Sequence, residues 1–112
     1  MEFKNLDGYQ LCHVEPKPWA SILREKRVTL RMTQQEAADK AKIKLQQYQK
    51  FEAGTRNIMT SSFRIACRVI EALGMNISDF YHGEYVIGEE IYAEDGVLKY
   101  KKTGRPIDED VV

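Results

Sequence analysis

Four side chains near the middle of the chain, Leu45, Gln46, Gln49 and Lys50, have types and spacing that would act together on a helix. Helical periodicity sets Gln46, Gln49 and Lys50 on one side, Leu45 at its edge, and Tyr48 and Phe51 opposite. A glutamine amide offers a donor beside an acceptor, lysine offers charged donors, and no carboxylate shares that face. Glutamine matches the acceptor–donor pair on the edge of adenine, lysine the two acceptors of guanine, and Leu45 a thymine methyl. The same residues would equally serve as ordinary polar surface, so their surroundings have to decide.

Charge is the first of those surroundings. The formal net charge is zero, yet residues 17–75 hold 12 basic against 5 acidic side chains, or +7. Residues 1–16 carry −2 and residues 76–112 carry −5. A basic middle between acidic ends suits a polyanionic partner for the middle alone. Catalysis has no comparable support: the sequence offers no Ser/His/Asp or Cys/His arrangement, phosphate loop or paired carboxylates at a plausible site. No enzyme activity and no cofactor are therefore expected. Cys12, Cys67, His13 and His82 lack the paired spacings of a zinc site, so no metal is expected. The cysteines read as free thiols of a reducing compartment, Cys67 as a small buried hydrophobe. No apolar run is long enough to span a bilayer and no secretory leader opens the chain, which predicts a cytoplasmic protein without membrane contact.

The elements that must hold this face come next. Residues 1–16 are a separate N-terminal segment, with a short strand expected at 9–14 before Pro16 and Pro18. Residues 17–82 predict five short helices. The first starts at Pro18 and runs to about Leu30, with Trp19, Ile22, Leu23 and Leu30 apolar at roughly helical spacing. Thr33-Gln34-Gln35-Glu36 is a capping box opening the second, whose Ala37, Ala38 and Ala41 let a neighbour approach closely. The third begins near Lys44 and ends at Ala53-Gly54. Thr60 or Ser61 is expected to cap the fourth, with Phe63, Ala66, Ile70 and Leu73 as its buried stripe, and Asn76 the fifth. Residues 83–102 change period and predict a hairpin turning at Asp95-Gly96, pairing Ala93 with Leu98 and Ile91 with Tyr100. Its apolar face wants a partner, in the same chain or in a second subunit, which makes it a candidate dimerisation element. Residues 103–112, with Asp108-Glu109-Asp110 close to their end, read as a disordered acidic tail.

Residues 32–41 and 51–57, with 23–27 upstream and 72–80 downstream, together resemble the phage-repressor (Xre/Cro-like) helix-turn-helix family in order and spacing. The resemblance implies a mainly α, compact five-helix lambda-repressor-like DNA-binding domain, here with a C-terminal β-hairpin extension. It implies that helix 2 lies across the backbone of double-stranded DNA while helix 3 enters the major groove. Leu45, Gln46, Gln49 and Lys50 would then read bases. Gln34, Lys44, Gln47 and Arg56 would hold phosphates. Glu52 would pair with an arginine, Arg27 or Arg56. Lys42 stands where the family usually has glycine and is expected in the left-handed conformation, at about 1 kcal/mol. The implied function is a transcriptional regulator, a repressor binding a palindromic operator as a homodimer. The alternative is an antitoxin-like or adaptor protein that takes a toxin-like protein partner through its C-terminal segment.

Overall fold

Small side chains and capped ends organise the helical part. In the computed structural model, which describes residues 18–108 and 111, five helices precede one hairpin. The helices are α1 (Pro18–Thr29), α2 (Gln34–Ala41), α3 (Leu45–Ala53), α4 (Phe63–Ala72) and α5 (Ile77–Tyr81). Strands β1 (Ile91–Glu94) and β2 (Val97–Tyr100) form the hairpin. The strand expected at 9–14 and Cys12 and His13 lie outside the described residues. Among the described residues no helix is long and apolar enough to cross a membrane.

α2 is the centre of the domain because its inward face is alanine. Ala37, Ala38 and Ala41 are buried, and α3 and α4 both pack on them. Tyr48 and Phe51 from α3, Leu23 from α1, and Val69, Ile70 and Leu73 from α4 supply the bulk the alanines lack. The α2 start follows the capping box: Thr33 Oγ1 accepts from the Glu36 amide at 3.1 Å, and Glu36 Oε1 accepts from the Thr33 amide at 2.8 Å. Its end turns on Lys42, at φ 60° and ψ 43°. The Lys42 amide donates to Asp39 O and the Ile43 amide to Ala38 O, the paired bonds that hold a left-handed residue after a helix.

Four expectations need correction here. Ser62, not Thr60 or Ser61, caps α4 by accepting from the Ile65 amide at 3.2 Å. The two hydroxyls are occupied: Asn57 caps a 3-10 turn over Ile58–Thr60, Thr60 Oγ1 donates to Asn57 O, and Ser61 Oγ donates to Ile58 O. The cap displaced toward Ser62 leaves Phe63 at the helix mouth, 79% exposed, and the buried α4 face is Val69, Ile70 and Ala72. Leu30 is 46% exposed, because α1 stops at Thr29 and Arg31 turns left-handed at φ 59°. Cys67 is half-buried rather than a core residue.

The hairpin has the register that its turn residues dictate. Asp95 (φ 52°) and Gly96 (φ 77°) both sit at positive φ, as a two-residue turn requires, and Ile91 faces Tyr100 while Ala93 faces Leu98. Its apolar face is covered within the chain: Tyr100, with Ile91 and Leu98, packs on Val28 of α1, Ile107 and Val111. Tyr100 Oη donates to Val28 O at 3.3 Å. The buried Glu25 carboxylate fixes the approach to β1, accepting from the Gly88 and Glu90 amides at 2.8 and 2.5 Å. The stretch expected to be a disordered tail returns along β2, with the Ile107 amide donating to Leu98 O and the Tyr100 amide to Arg105 O. Ile107 and Val111 are buried, which explains the docking: two apolar side chains in an acidic stretch suffice to close the small core.

Candidate nucleic-acid interface

α3 is positioned from both ends and from behind. At its start Gln47 Oε1 accepts from the Lys44 amide at 3.2 Å, and lysine, having no acceptor, cannot return the bond. At its end Gly54 adopts φ 79° and terminates the helix. Behind it Tyr48 and Phe51 are sunk in the core. That anchoring leaves Gln46, Gln49 and Lys50 exposed on the opposite side and Leu45 half-buried at its edge. Lys44 and Arg56 are exposed at the two ends of α3, and Gln34 is half-buried at the first position of α2.

One acid lies close to this basic surface, and it is neutralised. Glu52 accepts from Arg27 Nε at 2.6 Å and from Arg27 Nη2 at 3.0 Å, a fork-to-fork pair whose side chains are 4% and 1% exposed. Arg27, rather than Arg56, is therefore the arginine partner of Glu52. Its Nη1 also donates to Met32 O at 2.8 Å and to Val111 O. Burying such a pair is tolerable because its hydrogen-bonding capacity is so well used. The Tyr48 hydroxyl lies in the same pocket, buried and without a hydrogen-bond partner among the described residues. Burial first, then the adjacent Glu52 charge, pushes this phenol well above its ordinary range.

The pair extends toward solvent. Glu52 Oε1 accepts from Gln34 Nε2 at 3.1 Å, and Gln34 Oε1 accepts from Gln49 Nε2 at 3.2 Å. The structure thus brings Gln34 and Gln49 together, whereas Gln46 and Lys50 project separately. Arg24 of α1, exposed, lines a shallow cleft of about 360 Å³ with Gln34, Gln49, Glu52 and Ala53. Sequence reasoning missed Arg24 and the Gln34–Gln49 bond. Neither carries a local signal, since both depend on how α1 and α2 cross α3.

Two short helices joined by a tight left-handed turn, the second presenting an amide-rich basic face, define a helix-turn-helix DNA-binding domain. The chain belongs to the Helix-turn-helix family of the Xre/Cro type, whose model matches residues 23–80, more than half of the 112. Comparison with curated proteins and with solved structures gives no match. The matched span runs from α1 to α5, so the hairpin and the returning segment lie beyond it. The family binds DNA and is generally non-catalytic.

Proposed function

We propose that the protein is a sequence-specific transcriptional regulator that represses by occupying a palindromic operator as a homodimer. The observation that carries this reading is the outward face of α3, where two glutamines and a lysine stand exposed and the adjacent Glu52 is neutralised. Within the major groove Gln46 and Gln49 pair with adenine, Lys50 donates to guanine, and Leu45 meets a thymine methyl. Gln34, Lys44, Gln47 and Arg56 contact phosphates and fix the register without reading sequence. Occupancy of a promoter by such a domain is enough to block it.

The hairpin's apolar face is already covered by α1, so dimerisation through that face has little to offer. An apolar groove of about 470 Å³, uncovered among the described residues and lined in part by Met59, Phe63, Ile77 and Tyr81, begins three residues after Arg56. We assign the second copy to it, because two-fold contact beside the end of α3 would set both recognition helices on one side of the duplex. An adaptor or antitoxin-like role through the C-terminal segment needs that segment displayed; buried Ile107 and Val111 favour the regulator.

Selection of bound DNA from a random pool tests the reading. The wild type should enrich one two-fold motif. Gln46→Ala should cost about 1–3 kcal/mol and relax preference at one position per half-site. Enrichment of no sequence by the wild type at low salt refutes the regulator.

A further inference from the structure

The segment that returns from the hairpin lies outside the family match, yet a series of hydrogen bonds leads from it to the base-reading face. The Val111 carbonyl accepts from Arg27 Nη1. Arg27 Nε and Nη2 hold Glu52, Glu52 Oε1 accepts from Gln34 Nε2, and Gln34 Oε1 accepts from Gln49 Nε2. Residues distant in sequence are joined in this way from the C-terminal segment through α1 and α2 to α3. The inner part of the series is dry: Arg27 is 1% exposed and Val111 4%. Hydrogen bonds sheltered from water are strong and orient one another. The docked segment packs on Val28, and lifting it takes the Val111 carbonyl, one of the acceptors of Arg27, away from the guanidinium.

We propose that residues 104–108 and Val111 are a positioning element for DNA reading: docked on α1, they hold Arg27, and through it the Gln49 amide, in the geometry that discriminates bases. The inference rests on the assignment of Gln49 to base reading. The phosphate contacts of Lys44, Gln47 and Arg56 lie off this series, and Gln34, which lies on it, keeps its backbone N–H at the start of α2 for a phosphate. An event that lifts the segment would therefore erode sequence preference before it erodes attachment to DNA. The helix-turn-helix would remain basic and folded while its reading face loosened.

The test uses the full chain with Val111→Lys, which sets a positive charge in the apolar cluster of Val28, Tyr100 and Ile107 and so opposes docking of the segment. Ile107→Ala weakens the same docking without adding charge, and Val111→Ile is the conservative control. Two readouts are taken. One is the ratio of affinities for the selected operator and for the same operator changed at the position Gln49 reads. The other is the side-chain amide NMR signals of Gln34 and Gln49 with the Arg27 Nε–H signal, without DNA. Val111→Lys should lower the ratio about five-fold, the low end of one good base contact. Binding to random DNA at low salt should stay within about two-fold, since phosphate contacts set it. The three signals should shift toward solvent-exposed values. Ile107→Ala should move both readouts less in the same direction, and Val111→Ile should move neither. A merely structural role would lower all affinities together and leave the ratio intact, which overturns the proposal. Unmoved Gln34 and Gln49 signals in Ile107→Ala overturn it also if Val111→Lys does not fold. A wild type with no preference at the Gln49 position refutes the base-reading assignment instead, and the NMR signals then decide the coupling by themselves.

Discussion

Tyr48→Phe should make this protein more stable. The hydroxyl is buried at 0% exposure of its residue and has no hydrogen-bond partner among the described residues. It lies close enough to feel Glu52 and Arg27, but both Glu52 oxygens already accept from Arg27, and Oε1 accepts from Gln34 as well. An unsatisfied buried hydroxyl costs about 1–3 kcal/mol, and the small void left by one oxygen returns a fraction of that. The net gain is about 1 kcal/mol, or about 4 °C in Tm for a domain of this size. Urea and thermal unfolding measure it directly, with an unchanged m-value as the control. An alkaline series adds a second, independent arm. The folded phenol titrates above its ordinary value, so below about pH 10 both states hold the proton and full stability is present. Above that pH the unfolded chain gives up the proton while the folded chain keeps it, and stability falls. Tyr48→Phe should remove one proton's share of that fall, about 1.4 kcal/mol per pH unit. A loss of more than about 1 kcal/mol at neutral pH would refute the reasoning, because it would mean the hydroxyl is bonded to the ion pair.

Lys42→Gly should raise the urea midpoint by the equivalent of about 0.5–1 kcal/mol, since glycine adopts φ 60° without a Cβ clash; an unchanged or lower midpoint would show the left-handed turn to be unstrained. Arg56→Ala should weaken binding to all DNA sequences alike and flatten the slope of log K against log salt by about 1; a changed sequence preference would move Arg56 from phosphate to base. Phe63→Glu should leave thermal stability nearly unaltered, because the side chain is 79% exposed, but should give a monomer in sedimentation equilibrium; a persistent dimer would place the interface elsewhere.

What could be read in the sequence was what short-range chemistry writes there. Thr33 and Glu36 are three residues apart, and Asp95 and Gly96 are adjacent, so cap and turn follow from neighbours alone. The exposed side of α3 follows from helical period once Tyr48 and Phe51 are taken as core. Errors arose where several candidates compete for one task. Thr60, Ser61 and Ser62 can all cap a helix, and the choice falls to Ser62 only because Asn57 starts a 3-10 turn that consumes the other two hydroxyls. The C-terminal stretch departs from its expected disorder for a different reason. Its composition is acidic, but burial of Ile107 and Val111 depends on α1 being there to receive them. The Gln34–Gln49 bond spans 15 residues and two helices, a distance over which periodicity says nothing.

If the outward face of α3 reads bases as proposed, that last bond changes what the face can do. Gln49 Nε2 carries two N–H groups and gives one to Gln34. It keeps one N–H and its carbonyl oxygen, which are the groups needed for the N7 acceptor and N6 donor of adenine. The tether therefore removes nothing the base requires, and it decides which way the amide faces before DNA arrives. Gln34 in turn gives one N–H to Glu52 and keeps the other, with its backbone N–H at the start of α2, for a phosphate. Phosphate contact and amide positioning are thus compatible on the same residue. Gln46 is exposed and takes part in no such series, so ordering its rotamer falls to the binding event. On the proposed base-reading role, two glutamines of equal chemistry on one helix face would therefore differ in what they contribute: Gln49 would arrive oriented, and Gln46 would be oriented by the base it meets.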